Sequence, residues 1–109
     1  MSDRIFDDRE KQFEAKYKHD EELRFRVAVR RDKLLGLWAA SKFGLKGADA
    51  EAYAKSIIEA DMERPGDDDV IEKLLADFKA RNIEMSEHRI RRHLEECQDE
   101  ARLQIISKG

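Results

Sequence analysis

The sequence predicts an all-α protein, a four-helix bundle that is preceded by a flexible, partly helical N-terminal arm. Apolar residues recur three and four positions apart through most of the chain, and almost no segment resembles a β-strand. Gly44, Gly47, Pro65 and Gly66 lie where helices are expected to turn. Amphipathic helices joined by such short connections pack as a compact bundle. We assign the bundle to residues 20–109 and the arm to residues 1–19.

The first predicted helix spans residues 20–43. Its apolar residues are expected to form one broad buried face: Leu23, Val27, Leu34, Leu35, Leu37 and Trp38. Trp38 is the only tryptophan, and we expect it to be largely buried and to anchor the bundle. Gly44 and Gly47 bracket the short loop that follows.

The second predicted helix spans residues 48–63. Its inward-facing residues are expected to be Ala50, Tyr53, Ala54, Ile57 and Ile58. Arg64, Pro65 and Gly66 end this helix, because a proline disfavours helical geometry in the residue before it.

The third predicted helix opens with Asp67, Asp68 and Asp69. Aspartates at a helix start can cap free backbone N–H groups and complement the positive end of the helix dipole, so we expect them to act as caps. The core residues of this helix repeat four apart, at Val70, Leu74 and Phe78. Asn82 is the predicted stop.

Ser86 is predicted to cap the fourth helix, with Met85 packing onto Ile90 just inside it. The apolar stripe of this helix then continues through every turn: Ile90, Leu94, Cys97, Ala101 and Ile105. This stripe completes the set of four amphipathic helices.

The arm carries a different pattern of apolar residues. Phe6, Phe13 and Tyr17 are seven and four positions apart, so they form a thin apolar seam along one side of a helix. Such a seam cannot build a core, and a helix this short should be marginal by itself. The sequence leaves two alternatives open: the arm docks onto another protein and becomes fully helical there, or it folds back on its own bundle as a fifth short helix.

Composition and charge exclude several classes of protein. Lys and Arg number 22 and Asp and Glu number 25, which lacks the sustained basic excess that a nucleic-acid-binding protein needs. The single cysteine excludes an internal disulfide bond and suits a reducing compartment. No apolar run reaches the roughly 18 residues of a membrane span. Acidic residues among the first eight positions do not fit a signal peptide, so we expect a cytoplasmic protein without membrane insertion.

No pattern of residues predicts a metal site or a catalytic site. His93 and Cys97 are four apart and could share a helical face as two ligands, but a zinc site needs three or four. We therefore expect Cys97 to pack in the core. No Ser-His-Asp or Cys-His set can be placed, and a small bundle has little room for a substrate pocket. The chain is not expected to be an enzyme or to need a cofactor.

Five segments carry a resemblance to a known family: FDDRE at 6–10, FEAKY at 13–17, HDEE at 19–22, RRDKLLGLWAA at 30–40 and AEAYA at 50–54. These segments closely resemble the zeta-subunit ATPase inhibitor family of alphaproteobacterial F-type ATP synthases. The resemblance covers nearly the whole chain and is strongest over residues 6–54. Asp32 departs from the pattern, because we expect Asn there in close relatives.

The resemblance implies a small regulator without chemistry of its own. In this family an N-terminal segment enters a catalytic interface between alpha and beta subunits of the ATPase head and blocks rotation in the hydrolytic direction. On this sequence, the matching partner-binding residues of the arm are Phe6, Asp7, Asp8, Arg9, Phe13, Lys16, Tyr17 and His19. The resemblance also implies weak adenine-nucleotide binding on the bundle, to which we assign no residues.

The implied partners are the alpha and beta subunits of the head, with the central stalk as a further candidate. We expect a monomer that is peripheral to the membrane-bound ATP synthase. The alternative function is that of a non-enzymatic structural or adaptor bundle that binds another protein. Its binding surface would be the one basic concentration of the chain, at Arg24, Arg26, Arg30, Arg31 and Lys33.

Overall fold

The computed structural model describes residues 21–108, with side chains for residues 21–106. Its four helices are α1 (Glu21–Lys42), α2 (Gly47–Glu63), α3 (Asp67–Ala80) and α4 (Glu87–Lys108). α1 packs against α2 and α4, and α3 packs against the same two helices, so the four close into a bundle. The all-α four-helix prediction is confirmed, and the first two helices begin and end within one residue of their predicted limits.

The turn between α3 and α4 forms as the sequence predicts. Asn82 has a φ of 58°, which is the left-handed conformation that asparagine tolerates better than most residues. Its N–H donates to the Lys79 carbonyl, and the next N–H, of Ile83, donates to the Phe78 carbonyl at 3.0 Å. The Ser86 hydroxyl oxygen accepts a hydrogen bond from the Arg89 N–H at 3.1 Å, which confirms the predicted cap of α4.

The predicted capping role of the three aspartates is wrong. Gly66 occupies the position before α3 with a φ of 147°, and no side chain caps this helix start. Asp67, Asp68 and Asp69 lie inside the first turn, where their charges still complement the helix dipole. Two of them form ion pairs instead: Asp67 pairs with Arg31 of α1, and Asp68 pairs with Arg91 of α4.

The apolar core runs through all four helices and is largest around α3. The predicted residues Val70, Leu74 and Phe78 are fully buried. They pack with Ile71 of the same helix and with buried residues of the other helices: Leu35, Ala39, Ile57, Ile90 and Leu94. Met85 packs against this core, and so does Cys97, as predicted for the cysteine. The core therefore follows the helical spacing seen in the sequence for α3 and α4.

Four aromatic side chains pack together near the end of α1 and the start of α2; we call Trp38, Phe43, Tyr53 and Phe78 the aromatic cluster. The Phe78 ring lies between the rings of Phe43 and Trp38, at centroid distances of 4.7 and 5.7 Å. Trp38 is half-buried, which is less than predicted, and its ring also stacks on the His93 ring at 4.0 Å. Tilted aromatic contacts of this kind add to the energy of burial.

The buried face of α1 differs from the prediction. Leu34, Leu37 and Trp38 are only half-buried. The buried residues of α1 combine small and charged side chains with two aliphatic ones: Val27, Arg31, Asp32, Leu35, Gly36, Ala39 and Ala40. The small residues allow a close helix crossing, since a Cβ added at Gly36 would lie 2.6 Å from the Cα of Ala54. The backbones of α1 and α2 therefore approach each other closely at Gly36 and Ala54.

Candidate functional site

All the predicted partner-binding residues lie outside the residues that the structure describes: Phe6, Asp7, Asp8, Arg9, Phe13, Lys16, Tyr17 and His19. The division between arm and bundle, and the choice between docking and folding back, stay predictions. The structure does describe the part of the bundle to which the arm is joined. This end contains the start of α1, the end of α2 and the start of α3, and we call it the arm-proximal end.

One guanidinium and three carboxylates hold the arm-proximal end together. Arg31 Nη2 lies 3.0 Å from Asp32 Oδ1 and 3.2 Å from Asp61 Oδ2, and Arg31 Nη1 lies 2.9 Å from Asp67 Oδ1. The three carboxylates belong to α1, to the last turn of α2 and to the first turn of α3. This charge cluster of Arg31, Asp32, Asp61 and Asp67 therefore joins three helices through one side chain.

The charge cluster is largely removed from water. Arg31 is 9% exposed and Asp32 is 1% exposed. Burial disfavours the charged guanidinium, but the surrounding carboxylates outweigh that effect and raise the pKa of Arg31. Burial, together with a hydrogen bond to Asp61, raises the pKa of Asp32 to about 8 despite the opposing charge of Arg31. Burial therefore favours the protonated, uncharged form of Asp32 inside the bundle.

A small apolar groove opens beside the charge cluster. It has a volume of about 290 Å³, and Asp32 and Asp61 line part of it. The other lining residues are apolar and come from α1, α2 and the turn after α2: Phe25, Ala28, Val29, Ile58, Met62 and Pro65. The side chains of Phe25 and Met62 are 52% and 57% exposed, so the outer edge of the groove presents apolar surface to solvent. The arm joins the bundle one helical turn before Phe25.

The basic concentration in α1 does not form a continuous basic surface. Arg31 is buried among three carboxylates. Arg26 pairs with Glu22 at 2.8 Å, and Lys33 Nζ lies 3.8 Å from a Glu51 oxygen. These acidic neighbours reduce the positive potential that the adaptor hypothesis requires.

Cys97 lies on α4 and faces the bundle. It is half-buried, and burial, followed by the negative charge of Glu96, raises the pKa of its thiol to about 11. In the portion of the chain that the structure describes, no three His, Cys, Asp or Glu side chains are grouped so that they could hold a metal ion. None of the helices among residues 21–108 is both long enough and apolar enough to cross a membrane.

Reading the sequence missed the charge cluster, although a signal for it exists. Arg31 follows the buried Val27 by four residues and precedes the buried Leu35 by four, so it lies on the same helical face. An arginine at such a position requires partners, because an unpaired buried charge is costly. The candidate partners in sequence were the acidic residues at the neighbouring helix ends.

A comparison with protein-family models identifies one family for this chain. A family model described as ATPase inhibitor subunit zeta matches residues 1–104, which include both the arm and most of the bundle. A protein structure solved by NMR in solution is 33% identical, has a TM-score of 0.69, and aligns with 80% of this chain and 99% of its own. No curated protein sequence gives a significant match. With a match across nearly its full length and a related fold, the chain belongs to the ATPase inhibitor subunit zeta family.

Proposed function

We propose that this protein inhibits ATP hydrolysis by an F-type ATP synthase, with its N-terminal arm inserted at an interface between an alpha and a beta subunit. The observation that carries the proposal is the family match, which begins at residue 1 and so includes the whole arm. The protein acts by obstruction and has no chemistry of its own. It meets the synthase as a monomer on the cytoplasmic side.

The structure supports a division of labour between the two parts of the chain. Among the residues that the structure describes, four helices bury their apolar stripes against one another in a shared core. The proposal assigns the aromatic residues of the arm to the partner. Phe6, Phe13 and Tyr17 are suitable anchors, because aromatic side chains bury a large area at low conformational cost.

The charged residues of the arm would act at the edge of the interface. Asp7, Asp8, Arg9 and Lys16 separate the aromatic anchors in sequence, and His19 stands where the arm meets the bundle. Charges at the rim of an interface steer association and fix the register more than they add affinity. We therefore assign the affinity to the aromatic residues and the orientation to the charged ones.

The test is ATP hydrolysis by a purified cognate ATPase head, titrated with this protein and its variants. Phe13→Ala or Tyr17→Ala removes a buried aromatic contact of about 1.5–3 kcal/mol, which should raise the inhibitory concentration roughly ten- to a hundredfold. Glu14→Ala is the matched control on the same segment, and it should shift that concentration by fivefold at most, because a solvated ion pair contributes about 0–1 kcal/mol.

Thermal unfolding of each variant must accompany the assay. The aromatic substitutions should leave the melting temperature of the bundle close to that of the unmodified protein. If they leave inhibition unchanged, or weaken it only by unfolding the bundle, the inserted-arm mechanism is wrong.

Co-purification with a tagged copy of this protein separates the two candidate functions. If the alpha and beta subunits never enrich with the tagged copy under hydrolysing conditions, the adaptor function is the better explanation.

A further inference from the structure

Asp32 is surrounded by charged or titratable groups from every helix of the bundle. Arg31 is its neighbour on α1, Asp61 comes from α2, and Asp67 of α3 shares the same guanidinium. From α4, the thiol of Cys97 lies close enough to interact electrostatically with both Asp32 and Arg31. Because the pKa of that thiol is raised by burial, it stays uncharged through the neutral and mildly alkaline range.

The charge balance of this group depends on a single proton. With Asp32 protonated, one guanidinium faces two carboxylates, and the Asp32 hydroxyl donates a hydrogen bond to Asp61. With Asp32 ionised, one guanidinium faces three carboxylates, and the hydrogen bond between the two acids is lost. Like charges that are held close together in a buried site repel strongly.

We propose that Asp32 is a proton-linked latch of the arm-proximal end. While Asp32 is protonated, Arg31 holds the end of α2 and the start of α3 against α1 through Asp61 and Asp67, and loss of the Asp32 proton at mildly alkaline pH loosens this junction. The latch is independent of the arm's target, since every group in it belongs to the described bundle.

The direction of the pH effect follows from the two states of Asp32. Its pKa in the folded protein is about 8, whereas an aspartate in an unfolded chain has a pKa of about 3.9. Between these pH values the folded state holds a proton that the unfolded state has released. The stability of the folded protein therefore decreases as pH rises through this range. The folding equilibrium constant should fall by up to about tenfold per pH unit in this window. Above about pH 8 the effect levels off.

Urea unfolding between pH 5.5 and pH 9 tests the latch, with Asp32→Asn as the key variant. An amide has the shape of the protonated acid and can also donate to Asp61, but it does not titrate. From pH 6 to pH 8 the unmodified protein should lose up to about a hundredfold in folding equilibrium constant relative to Asp32→Asn. Asp99→Asn removes the same charge from an exposed position on α4 and should follow the unmodified protein. Parallel curves for the unmodified protein and Asp32→Asn would overturn the proposal.

Two measurements on the unmodified protein do not depend on the variant folding. The ¹³C chemical shift of the Asp32 carboxyl should titrate near pH 8, and a midpoint below pH 5 would refute the latch. Amide hydrogen exchange, corrected for its intrinsic pH dependence, should show residues 60–70 losing protection between pH 6.5 and pH 8.5. Protection at the aromatic cluster should persist, and an unchanged protection of residues 60–70 would contradict the loosening.

Discussion

Substitution of Gly36 by alanine should force α1 and α2 apart. The added Cβ would lie 2.6 Å from the Cα and 3.1 Å from the Cβ of Ala54, and 3.3 Å from Cγ1 of Ile57. Carbon atoms in favourable contact are about 3.5–4.0 Å apart, so α2 must retreat by roughly 1 Å. The nearest atom belongs to the backbone, so no side-chain rotation relieves the clash.

Two opposing effects determine how much Gly36→Ala changes the free energy of unfolding. Because the clash is with backbone, the cost of overpacking should lie in the upper part of its usual range, at about 2–3 kcal/mol, and the higher helix propensity of alanine returns about 1 kcal/mol. We expect Gly36→Ala to lower the free energy of unfolding by about 1–2 kcal/mol, and the melting temperature by roughly 4–16 °C. Urea unfolding followed by circular dichroism measures both the midpoint and the slope of the transition.

Two further variants show whether the close crossing is the cause. Ser41→Ala, at an exposed position of the same helix, should change stability by less than about 0.5 kcal/mol. Adding Ala54→Gly to Gly36→Ala should restore little, because the closest contact is to the Cα of residue 54, which remains. A Gly36→Ala protein as stable as the unmodified one would refute the view that backbone contact sets the distance between α1 and α2.

Three other predictions concern single positions. Asn82→Ala should destabilise the protein by about 1 kcal/mol in chemical denaturation, because alanine resists the left-handed conformation at this turn, whereas Asn82→Gly should be at least as stable as the unmodified protein. Ser86→Ala removes the cap of α4 and should cost about 1 kcal/mol in the same assay; no loss would show that the hydrogen bond to Arg89 contributes nothing. Cys97 should react with iodoacetamide at pH 8 at least about a hundredfold more slowly in the folded protein than in urea, because a raised pKa leaves little thiolate, and similar rates would contradict its burial.

The sequence predicted the structure best where local patterns of residues determine it. The four-residue repeat of Val70, Leu74 and Phe78 predicts the buried face of α3, and the structure confirms it. Asn82 and Ser86 mark the turn correctly, because their roles depend on local backbone geometry and on one hydrogen bond.

α1 was harder to interpret, for two physical reasons. A hydrophobic pattern gives no weight to glycine and alanine, yet a helix that crosses a neighbour closely must bury its smallest residues, as Gly36 and Ala39 show. The pattern also places charged residues at the surface, whereas the buried Arg31 bonds Asp61 and Asp67, which are 30 and 36 residues away in sequence. Such distant pairs become visible only once the fold has brought the helix ends together.

The single tryptophan gives this protein an optical probe at one position only. Trp38 stacks on His93 and touches the ring of Phe78, two helical turns along α1 from Arg31. Its fluorescence should therefore report on the aromatic cluster, while circular dichroism averages over all four helices. For a two-state transition the two signals coincide. If the arm-proximal end opens first at alkaline pH, circular dichroism should begin to change before the emission of Trp38 does.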